Sequence, residues 1–153
     1  MAVRVIKGLS ELQALVGQKV GTSDWVDVTQ ERVQAFAEGT GDHQWIHCDP
    51  ERARRESPFG TTIAHGFFTL SLGPALSEQI YRIEEVKLVL NYGLNRVRFP
   101  NPVKIGSRVR MTTDLIGLKE TSSGYQVTFK QVFQVEGEDK PACVVEMVAR
   151  MFF

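Results

Sequence analysis

Everything after Val86 reads as strands, with runs that alternate apolar and polar residues with a period of two and no helical pattern between them. Val109, Met111, Thr113 and Leu115 alternate with Arg108, Arg110, Thr112 and Asp114. Tyr125, Val127, Phe129, Gln131, Phe133 and Val135 keep the same period, and Cys143, Val145, Met147, Ala149, Met151 and Phe153 repeat it at the end. Turn residues at Gly106, Gly124 and Gly137 leave connections short enough for antiparallel neighbours. Strands without intervening helices exclude a doubly wound α/β fold, and the lack of GxGxxG and P-loop patterns agrees.

Ahead of these strands, Ala64 to Ile80 is apolar almost all round. Phe67, Phe68, Leu70, Leu72, Ala75, Leu76 and Ile80 leave no broad polar face, which predicts a helix buried on most sides. Gly66, Ser71, Gly73 and Ala75 are small enough to let other backbone approach, and Pro74 lacks an N–H and is expected to kink the run. The expectation is an α+β fold: one long buried helix followed by a meander of long strands that wraps around it.

The N-terminal part is lighter. Ser10 and Gln13 have capping-box spacing, Leu12, Leu15 and Val16 share a face, and Gly17 reads as a stop, so a short helix is expected. Residues 18 to 28 read as extended. Thr29 is a candidate N-cap for a helix carrying Val33, Phe36 and Ala37 on one face and ending near Gly39. Asp49 before Pro50 reads as a cap with a first-turn proline, opening a short charged helix through Arg55. The whole chain, 1–153, is expected to be one domain, with 1–23 as an N-terminal helix and lead-in strand.

A chain of 153 residues should bury roughly 70% of the surface its unfolded form exposes, enough for a core without staples. Eighteen basic residues balance eighteen acidic ones, so no global field draws it to nucleic acid or an anionic membrane. Cys48 and Cys143 are too few for a disulfide framework, and no secretory or membrane-spanning segment is evident. A cytoplasmic setting is expected.

Residues 39 to 47 combine glycines with three ionisable side chains, Asp42, His43 and His47. If this segment curls, Asp42 and His47 can grip one water molecule as an acid and base pair, each role contributing typically 10²- to 10⁴-fold. The plainer alternative is that Asp42 caps a turn and His47 is an ordinary loop histidine. His43 has charged, turn-like surroundings that favour a solvated role. At the mouth of the buried helix stand His65 and Gly66; a first-turn glycine N–H has no intrahelical acceptor and is sterically open, as an oxyanion hole requires, although the glycine could equally serve helix packing. The three histidines and two cysteines show no zinc spacing, so no metal is expected. Cys48 reads as a packed thiol, and Ser71 has no nucleophile-elbow context.

Three ordered segments carry a resemblance. Phe36 through His47, with Gly41-Asp42-His43-Gln44-Trp45-Ile46-His47 at its core, then Ala64-His65-Gly66-Phe67, then Arg96-Val97-Arg98-Phe99-Pro100-Asn101-Pro102-Val103, together resemble the MaoC-like dehydratases. The likeness runs from about Asp24 onward and is greatest to nodulation protein N and the R-specific enoyl-CoA hydratases. It implies the hotdog fold, a bent antiparallel sheet around one long central helix. It also implies reversible hydration of trans-2-enoyl thioesters to R-3-hydroxyacyl thioesters. Asp42 and His47 would activate the water, without assignment of acid and base, and the Gly66 amide would polarise the carbonyl. The resemblance further implies substrate binding by His65, Asn95, Arg96 and Phe99. No cofactor is implied beyond the coenzyme A or acyl carrier protein thioester that forms part of the substrate. A homodimer is implied as well. Gln44-Trp45 departs from the Asn-Pro of many hydratases, which bears on loop geometry and substrate range. A serine on the central helix supports the aspartate in some members, and Ser71 is the candidate here. A hotdog thioesterase, which has no need of His47, and a non-catalytic acyl-thioester-binding module are the alternatives.

Overall fold

The computed structural model describes residues 2–153; Met1, which begins the predicted lead-in, lies outside them. The elements in chain order are β1 (Arg4–Ile6), α1 (Gly8–Ala14), β2 (Gln18–Thr22), β3 (Val26–Asp27), α2 (Gln30–Thr40), α3 (Trp45–Cys48), α4 (Pro50–Glu56), α5 (Gly66–Ser71), α6 (Gly73–Ile80), β4 (Tyr81–Ile83), β5 (Leu88–Arg98), β6 (Arg108–Thr121), β7 (Gly124–Val135) and β8 (Cys143–Phe152). The main sheet runs β2-β6-β7-β8-β5, with β3 also paired to β6, and every pairing in it is antiparallel.

The period of two is realised directly. On one face of the sheet Val109, Met111 and Leu115 of β6, Val127, Phe129 and Phe133 of β7, and Cys143, Val145, Ala149 and Met151 of β8 are buried. Register places Met111 opposite Phe133 and Leu115 opposite Phe129. Against this face lie Phe68, Leu72, Leu76 and Ile80, a stripe repeating every four residues along α5 and α6. Each such side chain contributes about 1.5–3 kcal/mol on burial. The Tyr81 ring stacks on Phe129 with centroids 5.5 Å apart.

The central helix is one axis in two pieces. Pro74 cannot donate to a carbonyl four residues back, and the break falls just before it. Leu72 N–H instead donates to Thr69 O (3.2 Å), and the helix resumes with Leu76 N–H to Leu72 O (3.0 Å). Nor is this helix covered all round: Phe67, Ser71, Pro74, Ala75 and Glu78 are exposed. That side faces two clefts of about 370 and 490 Å³ between the helix and β5 and β8, which share Pro74, Asn91 and Met147.

The strands do not form one meander. β6, β7 and β8 do, but β5 lies beyond β8 at the sheet edge rather than beside β6. The prolines of the β5–β6 connection prevent a tight hairpin; the connection crosses to residues 62–64, where Ala64 N–H donates to Val103 O (2.8 Å) and Ile105 N–H to Thr62 O (3.1 Å). The tie holds the mouth of α5 against the end of β5. As an edge strand, β5 is exposed along nearly its whole length, including Leu88, Val89, Leu90, Tyr92 and Leu94.

Local signals shifted slightly. α1 starts at Gly8, before the Ser10 cap reading, because Glu11 accepts from Lys7 N–H (2.5 Å). α2 runs on to Thr40 and ends with Gly41 in the left-handed region (φ 79°). Thr29 and Asp49 cap α2 and α4, accepting from Arg32 and Arg52 N–H at 3.3 and 3.0 Å. The short parallel pair of β1 and β4 had no counterpart in the sequence pattern. Among the described residues no helix is long and apolar enough to cross a membrane.

Candidate active site

The left-handed Gly41 turns the chain out of α2 and into the segment that carries Asp42. The Asp42 carboxylate turns back locally: Oδ1 accepts from Gln44 N–H (3.3 Å). The single turn of α3 follows and brings His47 to the same side. His47 is buried (7% exposed), whereas the Asp42 side chain is about half exposed (51%).

The His47 ring is oriented by backbone. Nδ1–H donates to Ile63 O at 2.7 Å, and since a carbonyl can only accept, the proton sits on Nδ1 and the lone pair on Nε2. Burial pushes the imidazole below the ordinary histidine range; the Ile63 bond and the Asp42 charge act the other way, and His65 acts with burial. His47 is therefore neutral at pH 7, with Nε2 able to accept a proton. Its backbone is clamped as well. Gln30 Nε2 donates to His47 O (2.7 Å), Thr62 Oγ1 donates to Gln30 Oε1 (2.5 Å), and Ile63 N–H donates to Ile46 O (3.0 Å).

His65 completes the cluster. It is 2% exposed, its Nε2 lies 3.0 Å from Asp42 O, and its ring stacks on His47 with centroids 3.9 Å apart at 28°. Gly66 follows as the first residue of α5, so its N–H has no intrahelical acceptor. A Cβ at Gly66 would stand 3.0 Å from the Phe99 ring, so glycine lets Phe99, just beyond β5, pack against this residue. Phe99 also meets Phe67 edge-on (6.0 Å), and both rings are exposed at the mouth.

Asp42, His47, His65, Gly66 and Phe99 are thus gathered at one end of the central helix. Asn95 and Arg96 are not drawn into that group. Asn95 is the extra residue of a β5 bulge, between Leu94 opposite Met147 and Arg96 opposite Glu146, and Arg96 shares a shallow depression with Arg98, Lys130 and Glu146. Ser71 lines the 370 Å³ cleft with Leu70 and Gly73; the bond to the Asp42 carboxylate comes from Gln44 N–H instead. His43 pairs with Glu38 (3.0 Å) at the surface, which holds the Glu38 carboxyl below its usual range. Burial raises the Cys48 thiol.

Asp42, His47 and His65 each place a donor atom within 4.8 Å of the others, the one group among the described residues able to offer three ligands to a metal. Two features oppose such use. His65 Nε2 must carry a proton to meet the Asp42 carbonyl, and stacked rings point their in-plane lone pairs side by side rather than at a common point. Gln30 and Thr62 were not foreseen: neither residue type signals chemistry at its position, and only the fold shows that they hold His47.

The MaoC like domain model matches residues 11–135. This chain is a member of the MaoC-like dehydratase family. It is 55% identical over 149 residues to 3-hydroxyacyl-thioester dehydratase Z of Mycobacterium tuberculosis, covering 97% of this chain and 98% of that one. It is 44% identical over 147 residues to nodulation protein N of Rhizobium leguminosarum, covering 95% and 91%. Its fold is that of the (R)-hydratase of A. caviae involved in PHA biosynthesis, with a TM-score of 0.72 and 26% identity over 88% of this chain and 95% of that one. The hotdog architecture of this MaoC-like chain, an antiparallel sheet around a central helix, is the family fold.

Proposed function

We propose that this MaoC-like protein is a hydro-lyase that interconverts trans-2-enoyl and R-3-hydroxyacyl thioesters. The observation that carries the reading is the Asp42–His47 pair: a neutral imidazole with Nδ1 committed to Ile63 O and Nε2 free, beside a half-exposed carboxylate. The 55% identical dehydratase supports the reaction class.

In the hydration direction Asp42 and His47 Nε2 hold one water molecule. Nε2 takes a water proton as the oxygen bonds to C3; the C2–C3 π pair moves toward the thioester carbonyl, whose developing charge meets the Gly66 N–H. The imidazolium then returns that proton to C2, giving the 3-hydroxyacyl thioester and neutral His47. Dehydration is the reverse. The sequence needs no metal or cofactor, and the carrier, coenzyme A or acyl carrier protein, is part of the substrate. Leu70, Gly73, Leu94 and Met147 offer an apolar wall for the acyl chain in the cleft that starts about one turn along the helix from Gly66.

We further propose a homodimer joined through β5. A long, exposed, apolar edge strand is a template for a second copy, and Leu88, Val89, Leu90, Tyr92 and Leu94 supply the apolar surface. The free cysteines support a cytoplasmic setting.

The test follows crotonyl-CoA by loss of its conjugated enoyl absorbance while titrating free thiol. Hydration to the R alcohol without thiol release is expected. Thiol release would make the protein a thioesterase, and no turnover with retained binding would make it a carrier module; either sinks the proposal.

A further inference from the structure

His65 is the most enclosed ionisable group beside the reacting pair. Its ring stacks on His47 at 3.9 Å and meets the tilted Phe36 ring at 5.0 Å, and Phe36 is itself braced edge-on by Phe68 (5.8 Å). One nitrogen has a partner: Nε2 lies 3.0 Å from Asp42 O and 4.0 Å from Asp42 Oδ2. The other, Nδ1, is buried without a hydrogen-bond partner. The carbonyl of Asp42 can only accept, so the ring carries its proton on Nε2. Nδ1 has no acceptor within reach. A proton there would be a buried donor with nothing to receive it.

We propose that His65 is a positioning residue: an imidazole, protonated at Nε2, that fixes the Asp42 backbone by its hydrogen bond and the His47 ring plane by stacking. The two reacting side chains reside on a loop and on a four-residue helix, elements too short to set a geometry by themselves. Asp42 has its backbone carbonyl tied by His65, and His47 has one edge tied to Ile63 and one face covered by His65. A single side chain therefore couples the positions of both. The inference rests on Asp42 and His47 being the reacting pair, but its tests read a different residue.

Three variants separate the two contributions. H65Q keeps an N–H that can reach Asp42 O and loses the flat ring; H65F keeps the ring and loses the donor; H65L loses both. Because misplacement of about 1 Å can cost on the order of 100-fold in rate, H65F is expected to lower kcat of enoyl-thioester hydration at least about tenfold with KM within about threefold. H65Q, which loses only the ring, should also fall, and H65L, which loses both contributions, should fall further than either. Wild-type kcat in H65F or in H65Q, H65L no worse than the milder of the two, or a loss confined to KM would each overturn the proposal. Should H65F not fold, ring-nitrogen NMR of histidine-labelled wild-type protein decides the matter. Expected is a His65 signal from the Nε2–H tautomer with bare Nδ1 at neutral pH; a proton on Nδ1 would contradict it. If D42N and H47Q were fully active while His65 showed this tautomer, the reading of the pair would have failed and not the placement of His65.

Discussion

Replacing Gln30 by alanine removes two hydrogen bonds at once and touches no group assigned to substrate. Gln30 Nε2 donates to His47 O at 2.7 Å, and Gln30 Oε1 accepts from Thr62 Oγ1 at 2.5 Å; Thr62 is 1% exposed. A buried polar group deprived of its partner costs about 1–3 kcal/mol. The Gln30 side is only partly buried, so water can enter and satisfy some of this loss. The lower half of the range for each group gives about 2–4 kcal/mol for the pair. For a domain of this size 1 kcal/mol shifts Tm by about 2–4 °C, so a fall on the order of 4–16 °C is expected in a thermal melt. Hydration activity at a temperature where the variant is still folded should fall too, because the carbonyl of His47 is no longer held. A melting temperature within about 2 °C of the parent, together with unchanged kcat, would show that the clamp holds neither the fold nor the site.

Three further outcomes follow from the geometry. Protonating His47 Nε2 removes the base, so kcat/KM should fall in acid with a midpoint below the ordinary histidine value, because burial disfavours the imidazolium. The same group acts on stability: unfolded His47 binds its proton more readily than folded, so its contribution is present above the unfolded value and is lost as pH falls through the folded one, readable in melts across that window. L90K on the exposed edge strand should halve the mass measured by light scattering; an unchanged mass would place any dimer elsewhere. Ser71 is exposed and lines the 370 Å³ cleft, so S71F should narrow it and lower activity several-fold more on eight-carbon than on four-carbon thioesters; equal losses would remove the acyl chain from that cleft.

The alternation from Val109 to Phe153 revealed the strands because one face of each is buried against a helix, and the side-chain period then shows in the composition. β5 also reads as a strand, although it is exposed along nearly its whole length; its place beyond β8 was hidden, since neighbour order depends on where the connection through Pro100 and Pro102 leads. The central helix looked covered all round because an apolar residue facing a cleft resembles one facing a core; Phe67 and Pro74 are exposed. At the site, Asp42, His47 and Gly66 stood out by residue type in a glycine-rich setting. The clamp of Gln30 and Thr62 did not, because the two are 32 residues apart and only the fold, which also ties Thr62 O to Ile105 N–H, brings them together.

The central claim is that Asp42 and His47 carry the water chemistry. Its most direct test measures crotonyl-CoA hydration by D42N and H47Q, two nearly isosteric changes, beside the parent protein and with melting curves for each. The account predicts that both variants fold, melt within a few degrees of the parent, and lose on the order of 100-fold or more in kcat. Full activity in either folded variant would contradict it.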